Sequence, residues 1–365
     1  MKKILALMLC LIFTLSLVAC GGDSGSNGAI VIDPIEDEIA GTADHYGTVE
    51  VTATKDAYNF LTGKNDMASD MVGMRPYAIS VNNISDCWPQ YGLSQADIIF
   101  EMETEGGITR MMALYMDTRE VARIGSVRSL RDQFLEAVFP LNPIIVHIGT
   151  SVYADKAIQE HSFRTLDGNN LPQSMFFDRD RYSAGYNSEH CYFTSGQNID
   201  ETLPAAKIKR TLSANVTSAF NFVGEDEVTV PTTGDATTIK FKFSSYGDGD
   251  LRYDAESNKY LKWEYGKAQV DAGNDNEQLA FDNAFVIFAP ISTIDGTILV
   301  KVDYTAGGEG YYFSQGKYEK VTWTKPDYTD NFSFTTADGE ELKVNTGNTY
   351  FAVVRDDRAD ELTIS

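Results

Sequence analysis

The chain has 365 residues, with 53 acidic against 30 basic side chains and a net charge of −23. A chain this acidic is repelled by nucleic-acid phosphates and by anionic lipid headgroups, which argues against nucleic acid as a partner and suits a body held off a membrane. Its length is enough for two domains with separate cores.

Lys2 and Lys3 precede an apolar run from Ile4 to Leu17, and Leu17-Val18-Ala19-Cys20 then gives way to Gly21-Gly22. Residues 1–19 read as a lipoprotein signal peptide, because lipid-transferring export machinery needs small residues before the cut and a thiol just after it. Cys20 is the expected lipidation site, carrying diacylglycerol and palmitate, and it places the mature chain outside the cytoplasm, anchored to the cell membrane. Losing Lys2 and Lys3 takes the net charge from −23 to −25. No later stretch reaches the roughly 18 apolar residues of a spanning helix, so the lipid is the expected membrane contact. Cys10 leaves with the signal, and the sequence leaves open whether the two remaining thiols, Cys87 and Cys191, form a disulfide.

Residues 20–70 are rich in Gly, Ser and Asp, with an acidic run from Asp33 to Glu38, and read as a flexible acidic tether. Over residues 71–215 apolar runs such as Ala96-Asp97-Ile98-Ile99-Phe100 and Pro143-Ile144-Ile145-Val146 alternate with helical patterns, which predicts an α/β domain. From 225 to 365 short alternating strands are divided by turn signals at Gln315-Gly316 and Asp338-Gly339, and Leu261, Trp263 and Tyr265 alternate with Lys262 and Glu264. That pattern predicts a small all-β C-terminal domain.

Two elements can be read more closely. Gly106-Gly107 lies between two alternating runs and predicts a two-residue hairpin loop, whose register pairs Glu105 with Ile108, Glu103 with Arg110, Met102 with Met111 and Phe100 with Ala113. Ser126 is placed to cap a helix running to Phe139, with Val127, Leu130, Phe134 and Val138 in one stripe. Arg131 falls inside that stripe and Arg128 in the first turn, where backbone N–H groups favour an anion.

Arginine is unevenly spread: residues 75–181 hold nine Arg and one Lys, and the rest of the chain four Arg and sixteen Lys. The planar guanidinium fork is favoured over an ammonium where a carboxylate or phosphate is gripped in fixed geometry. Either the domain's own acids, such as Glu101, Glu103, Glu105 and Asp132, take up these arginines, or they line a ligand site. The candidate ligand-binding set is Arg110, Arg128, Arg131, Arg179, Arg181 and His190, with Arg128 and Arg131 forming a floor shared with Arg179 and Arg181. His147, inside a strand, reads as a core histidine. Gly149-Thr150-Ser151 reads as a helix cap, and neither Glu101-x-Glu103-x-Glu105 nor Asp248-Gly249-Asp250 makes a convincing metal loop. No metal or cofactor is expected, and the sequence leaves any catalytic residues unknown.

The segments Glu105-Gly106-Gly107-Ile108-Thr109-Arg110, Ile124-Gly125-Ser126-Val127-Arg128-Ser129, Val146-His147-Ile148-Gly149 and Arg179-Asp180-Arg181 together resemble the YerB-like lipoprotein family. Asp282-Asn283-Ala284-Phe285-Val286, Gly308-Glu309-Gly310-Tyr311, Gln315-Gly316-Lys317 and Trp323-Thr324-Lys325 resemble its C-terminal domain. The resemblance spans about residues 70–355 and implies a bacterial envelope lipoprotein with two domains of unknown function. It carries no catalytic residues. The resulting expectation is a non-catalytic envelope lipoprotein that binds an anionic group of a cell-wall glycopolymer, a lipid-linked precursor or a partner protein. The alternatives are an envelope enzyme of phosphoryl or glycosyl transfer and a purely structural interaction module.

Overall fold

In the computed structural model, residues 46–170, 175–212 and 216–365 are described. The signal peptide, Cys20 and residues 20–45 of the expected tether lie outside them. The rest of that stretch is not a tether: Leu61, Met67 and Ala68 are buried, and Lys55–Ala57 pairs with Met67–Ala68. These apolar side chains, sparse in a polar sequence, dock onto the same core as Phe100 and Phe351.

In chain order the principal strands are Tyr77–Asn82 (β1), Ile98–Glu103 (β2), Thr109–Tyr115 (β3), Ile144–His147 (β4), Thr165–Asp167 (β5), Gly234–Asp235 (β6), Thr238–Lys242 (β7), Asp248–Asp254 (β8), Lys259–Glu264 (β9), Asn283–Ala289 (β10), Gly308–Ser314 (β11), Lys317–Thr324 (β12), Ser333–Thr336 (β13) and Thr349–Arg355 (β14). The α-helices are Asp132–Val138 (α1), Val152–Glu160 (α2), Arg179–Ser183 (α3) and Gly196–Ala206 (α4). Among the described residues all four precede residue 207, and the remainder of the chain is β-rich.

Ten strands run in the order β6-β12-β11-β10-β14-β2-β3-β1-β4-β5, and β13 joins beside β12 to complete an 11-stranded mixed sheet. The two halves meet inside this sheet, where β14 lies parallel to β2 with Phe351 opposite Phe100. The cores are therefore not separate: one buried cluster unites Phe100, Met112 and Phe134 with Phe285 and Trp323, and the other unites Ile79 and Met111 with Phe241 and Val286. A strand covered on both faces must be apolar or internally paired throughout. That is why β10 and β14 read as continuous runs, Asn283-Ala284-Phe285-Val286-Ile287-Phe288-Ala289 and Thr349-Tyr350-Phe351-Ala352-Val353-Val354. The second sheet, built on β7, β8 and β9, covers one face, and α1 and α2 lie toward the other.

Two local expectations need correction. The β2–β3 loop has five residues, not two: Thr104 N–H donates to Ile108 C=O at 2.8 Å, and the strands pair as Glu103 with Thr109, Met102 with Arg110 and Phe100 with Met112. Both glycines do take positive φ, 69° at Gly106 and 81° at Gly107, but within a 3-10 turn over Glu105–Gly107. The one-residue slip turns Arg110 to the face of Met102, away from Glu103.

The helix starts at Asp132, not at Ser126. Residues 126–131 are extended, with Val127 bridging Val81 and Leu130 bridging Thr150, and Arg131 at φ −124°, ψ 147°. The N–H groups of Val127 and Arg128 donate to Tyr192 and Ser80 carbonyls, so pairing across the chain outweighs the helical period of the apolar residues.

Strand β9 shows the expected alternation with its charged face inside. Tyr260, Lys262 and Glu264 point inward, while Trp263 lies toward the surface with the Arg252 guanidinium 4.0 Å over its ring. The Gln315-Gly316 turn is present between β11 and β12, where Ser314 pairs with Lys317.

Candidate functional site

The six arginine and histidine candidates do not share one floor. They divide into a closed cluster and an open cleft.

The closed cluster forms where the β2–β3 loop meets the start of α1. Glu105, carried on that loop, accepts from Arg131 through Nε at 2.8 Å and Nη2 at 2.5 Å, a two-pronged grip on both carboxylate oxygens. Arg110 donates to the same carboxylate at 3.2 Å and to Ser129 C=O at 2.6 Å. Both arginines are buried, Arg110 completely. Burial opposes ionisation of Glu105, but Arg110 and Arg131 outweigh it and hold the carboxyl well below the usual range.

Arg128 pairs with Glu189 at 3.0 Å. His190 is buried, with Nδ1 2.9 Å from the Asn82 side-chain nitrogen and Nε2 3.7 Å from Glu189. An accepting Nδ1 leaves the proton on Nε2, toward that carboxylate. Burial first, and then the charges of Arg128 and Arg181 against Glu189, keep the ring below its ordinary pKa and so neutral at pH 7. Arg110, Arg128, Arg131 and His190 are thus paired with the protein's own groups. His147 is also buried, with Nδ1 2.9 Å from Gly149 C=O, and Ser151 caps α2 by accepting from Ala154 N–H at 3.1 Å.

The open cleft, about 620 Å³ in volume, lies between α3 and the Pro89–Tyr91 segment. Arg179 and Arg181 line it, and Arg128 and Arg131 do not. Asp178 sets α3 in place: one oxygen accepts from Arg181 N–H at 2.8 Å as the helix cap, and the other pairs with Arg123 and accepts from Tyr46 OH at 3.4 Å. Arg123 is wedged among three rings, 3.9 Å from the centroid of Tyr91, 4.1 Å from Phe193 and 4.4 Å from Tyr46. Arg181 lies 3.9 Å over Tyr186 and donates to the carbonyls of Pro89 and Cys87. Arg179 stands exposed at the first turn of α3.

Phe176, Phe177, Tyr91 and Tyr186 give the cleft aromatic walls. Three guanidiniums face two carboxylates, Asp178 and Asp180, so the cleft is net positive in a strongly negative protein. Such a site concentrates anions and offers rings for a flat or cyclic neighbour.

Sequence reading missed Arg123, Tyr46, Tyr91 and Asp178. Arg123 belonged to the arginine excess, but its rings come from three distant segments and no spacing connects them. It also missed a buried charged network around Glu101, Lys262 and Glu264. Cys87 and Cys191 are buried free thiols, not a disulfide. Burial pushes Cys87 up to about 12 and Cys191 up to about 11, where neither is an effective nucleophile at pH 7.

The sequence matches the N-terminal domain of a protein family of unknown function (DUF3048) over residues 61–209 and that family's C-terminal domain over residues 237–351. The chain belongs to this two-domain family. It is 26% identical over 285 residues to YerB of Bacillus subtilis, a protein named as a candidate lipoprotein, covering 77% of this chain and 82% of that one. The crystal structure of Bacillus subtilis YerB superposes with a TM-score of 0.71 at 24% identity, covering 84% of this chain and 99% of the other. That likeness concerns the fold. Among the described residues no helix is long and apolar enough to cross a membrane.

Proposed function

We propose that this chain is a non-catalytic binding lipoprotein of the cell envelope, lipid-anchored through Cys20 to the outer face of the cell membrane, whose cleft takes an anionic group of a cell-wall glycopolymer. The observation that carries the reading is the cleft of Arg123, Arg179 and Arg181 with its aromatic walls. Guanidiniums grip phosphate or carboxylate, and rings pack against sugar faces. Catalysis is the weaker reading because, of the cleft's two carboxylates, Asp178 is already committed to a helix cap, an ion pair and a tyrosine hydroxyl and Asp180 is exposed to solvent. A general acid or base needs a free hydrogen bond to the reacting group. Arg110, Arg128 and Arg131, closed around Glu105 and Glu189, act in this reading as structural ties.

Titrating the full-length protein in detergent with a phosphodiester-linked glycopolymer tests the site. Binding should weaken with salt and fall at least about tenfold in Arg179→Glu, measured where that variant is folded. Equal binding by the wild type and this variant would remove the cleft as the site. Cys20→Ala should abolish acyl labelling and release the protein from membranes. Membrane retention without lipid on Cys20 would refute the anchor.

A further inference from the structure

Where the second sheet packs on the large one, three charged side chains are shut away from solvent. Glu101 on β2 and Lys262 and Glu264 on β9 are each 0% exposed. The Lys262 ammonium lies 3.1 Å from Glu101 Oε2 and 2.8 Å from Glu264 Oε2. If both carboxyls were ionised, one cation would face two anions and the cluster would hold a buried net charge, an arrangement proteins avoid by neutralising a group.

Counting donors shows which carboxyl is undersupplied. Glu101 receives four: Asn83 Nδ2 at 2.7 Å and Thr109 Oγ1 at 2.8 Å on one oxygen, and Tyr350 OH at 2.7 Å and Lys262 on the other. Four donors fill the capacity of an ionised carboxylate. Glu264 shares Lys262 and has otherwise only the Asn83 amide, 3.0 Å from Oε1 and 2.8 Å from Oε2. The orientation of Asn83 is fixed, since its Oδ1 accepts from Gln90 at 3.0 Å and Gln269 at 2.9 Å. In the same network Gln269 Oε1 is buried and, among the described residues, accepts from nothing. Of the two carboxyls, Glu264 is thus the one left with donors short of a carboxylate's capacity, and the one that a proton of its own would satisfy.

We propose that Glu264 is a neutral carboxylic acid in the folded protein at neutral pH, and that loss of its proton loosens the second sheet from the large one. The cluster is then a Glu101 carboxylate, a Lys262 ammonium and a Glu264 acid, and it seals the two halves of the chain together. The titratable groups around Glu264 are Glu101 from β2, Lys262 from β9 itself, Tyr265 just beyond β9, Tyr350 from β14 and Cys87 from the segment after β1. Burial raises both tyrosines and the thiol, so all three remain neutral and supply no compensating charge. Burial and then Glu101 raise the Glu264 carboxyl above its ordinary range against the opposing pull of Lys262.

The sign follows from linkage. An acid whose folded pKa lies above its unfolded value contributes stability that is complete below the unfolded pKa and is lost as pH rises through the folded one. This inference is independent of what the cleft binds.

Infrared spectroscopy of the full-length protein tests it through the carbonyl stretch of protonated carboxyl groups. At pH 7 Glu264→Gln should remove one such band and leave the one from Asp97, a second acid that burial pushes up to about 7. Wild type should lose thermal midpoint relative to Glu264→Gln as pH rises from about 5 to about 9. Glu101→Gln should lower the midpoint across the whole range. No band lost in Glu264→Gln, a midpoint difference that does not change with pH, or a Glu264→Gln protein as unstable as Glu101→Gln or unable to fold would each overturn the proposal.

Discussion

The closed cluster and the open cleft are built from the same residue type and put it to opposite use. Around Glu105, Arg110 and Arg131 surround one carboxylate and are buried with it. Along α3, Arg181 spends its hydrogen bonds on two backbone carbonyls and Arg179 stands at the surface. An arginine excess thus marks fixed anion geometry without saying whose anion it is. The partner decides, and the partner is a matter of tertiary structure.

The contrast can be broken first at Glu105. Glu105→Gln strands two buried guanidiniums, and removing one partner of a buried pair costs about 3–5 kcal/mol. Denaturant unfolding should show that loss with polymer binding retained under native conditions. The same carboxylate sets an acid limb: its depressed pKa contributes stability present above the unfolded value and lost as pH falls through the folded one. Wild type should lose stability below about pH 4.5, the ordinary carboxylate range, more steeply than Glu105→Gln.

Smaller effects sharpen the other side. Arg181→Lys keeps the charge but not the fork over Tyr186, and should cost ~1–3 kcal/mol by loss of the Cys87 and Pro89 carbonyl bonds. Arg123→Lys, leaving three rings with a poorer cation, should cost about 1–2 kcal/mol. Both are measurable as shifts in unfolding midpoint.

How much of this was legible in the sequence depended on the range of the interaction. The Gln315-Gly316 turn was readable because two adjacent residues determine it, at φ 56° and 71°. The β2–β3 register was not: Gly106-Gly107 announces a turn, but the length of the loop depends on Glu105 reaching Arg131 and Arg110. The alternation of β9 showed that two faces differ without showing which is inside. Lys262 and Glu264 are inside because Glu101 and Asn83, far away in the chain, complete their network. Ser126 to Arg131 fits a helical stripe as well as an extended segment, and the acceptors that decide between them, Ser80 and Tyr192, lie on other strands. At the cleft the sequence supplied Arg179 and Arg181 but not the rings that make it a cleft.

The most direct test measures salt-dependent binding of the phosphodiester-linked glycopolymer by the wild type, Arg179→Glu and Glu105→Gln side by side. The account predicts that Arg179→Glu loses at least about tenfold in affinity while still folded, and that Glu105→Gln, though far less stable, binds as the wild type does wherever it is folded. Undiminished binding by Arg179→Glu, together with loss of binding by folded Glu105→Gln, would contradict it and move the ligand from the cleft to the cluster.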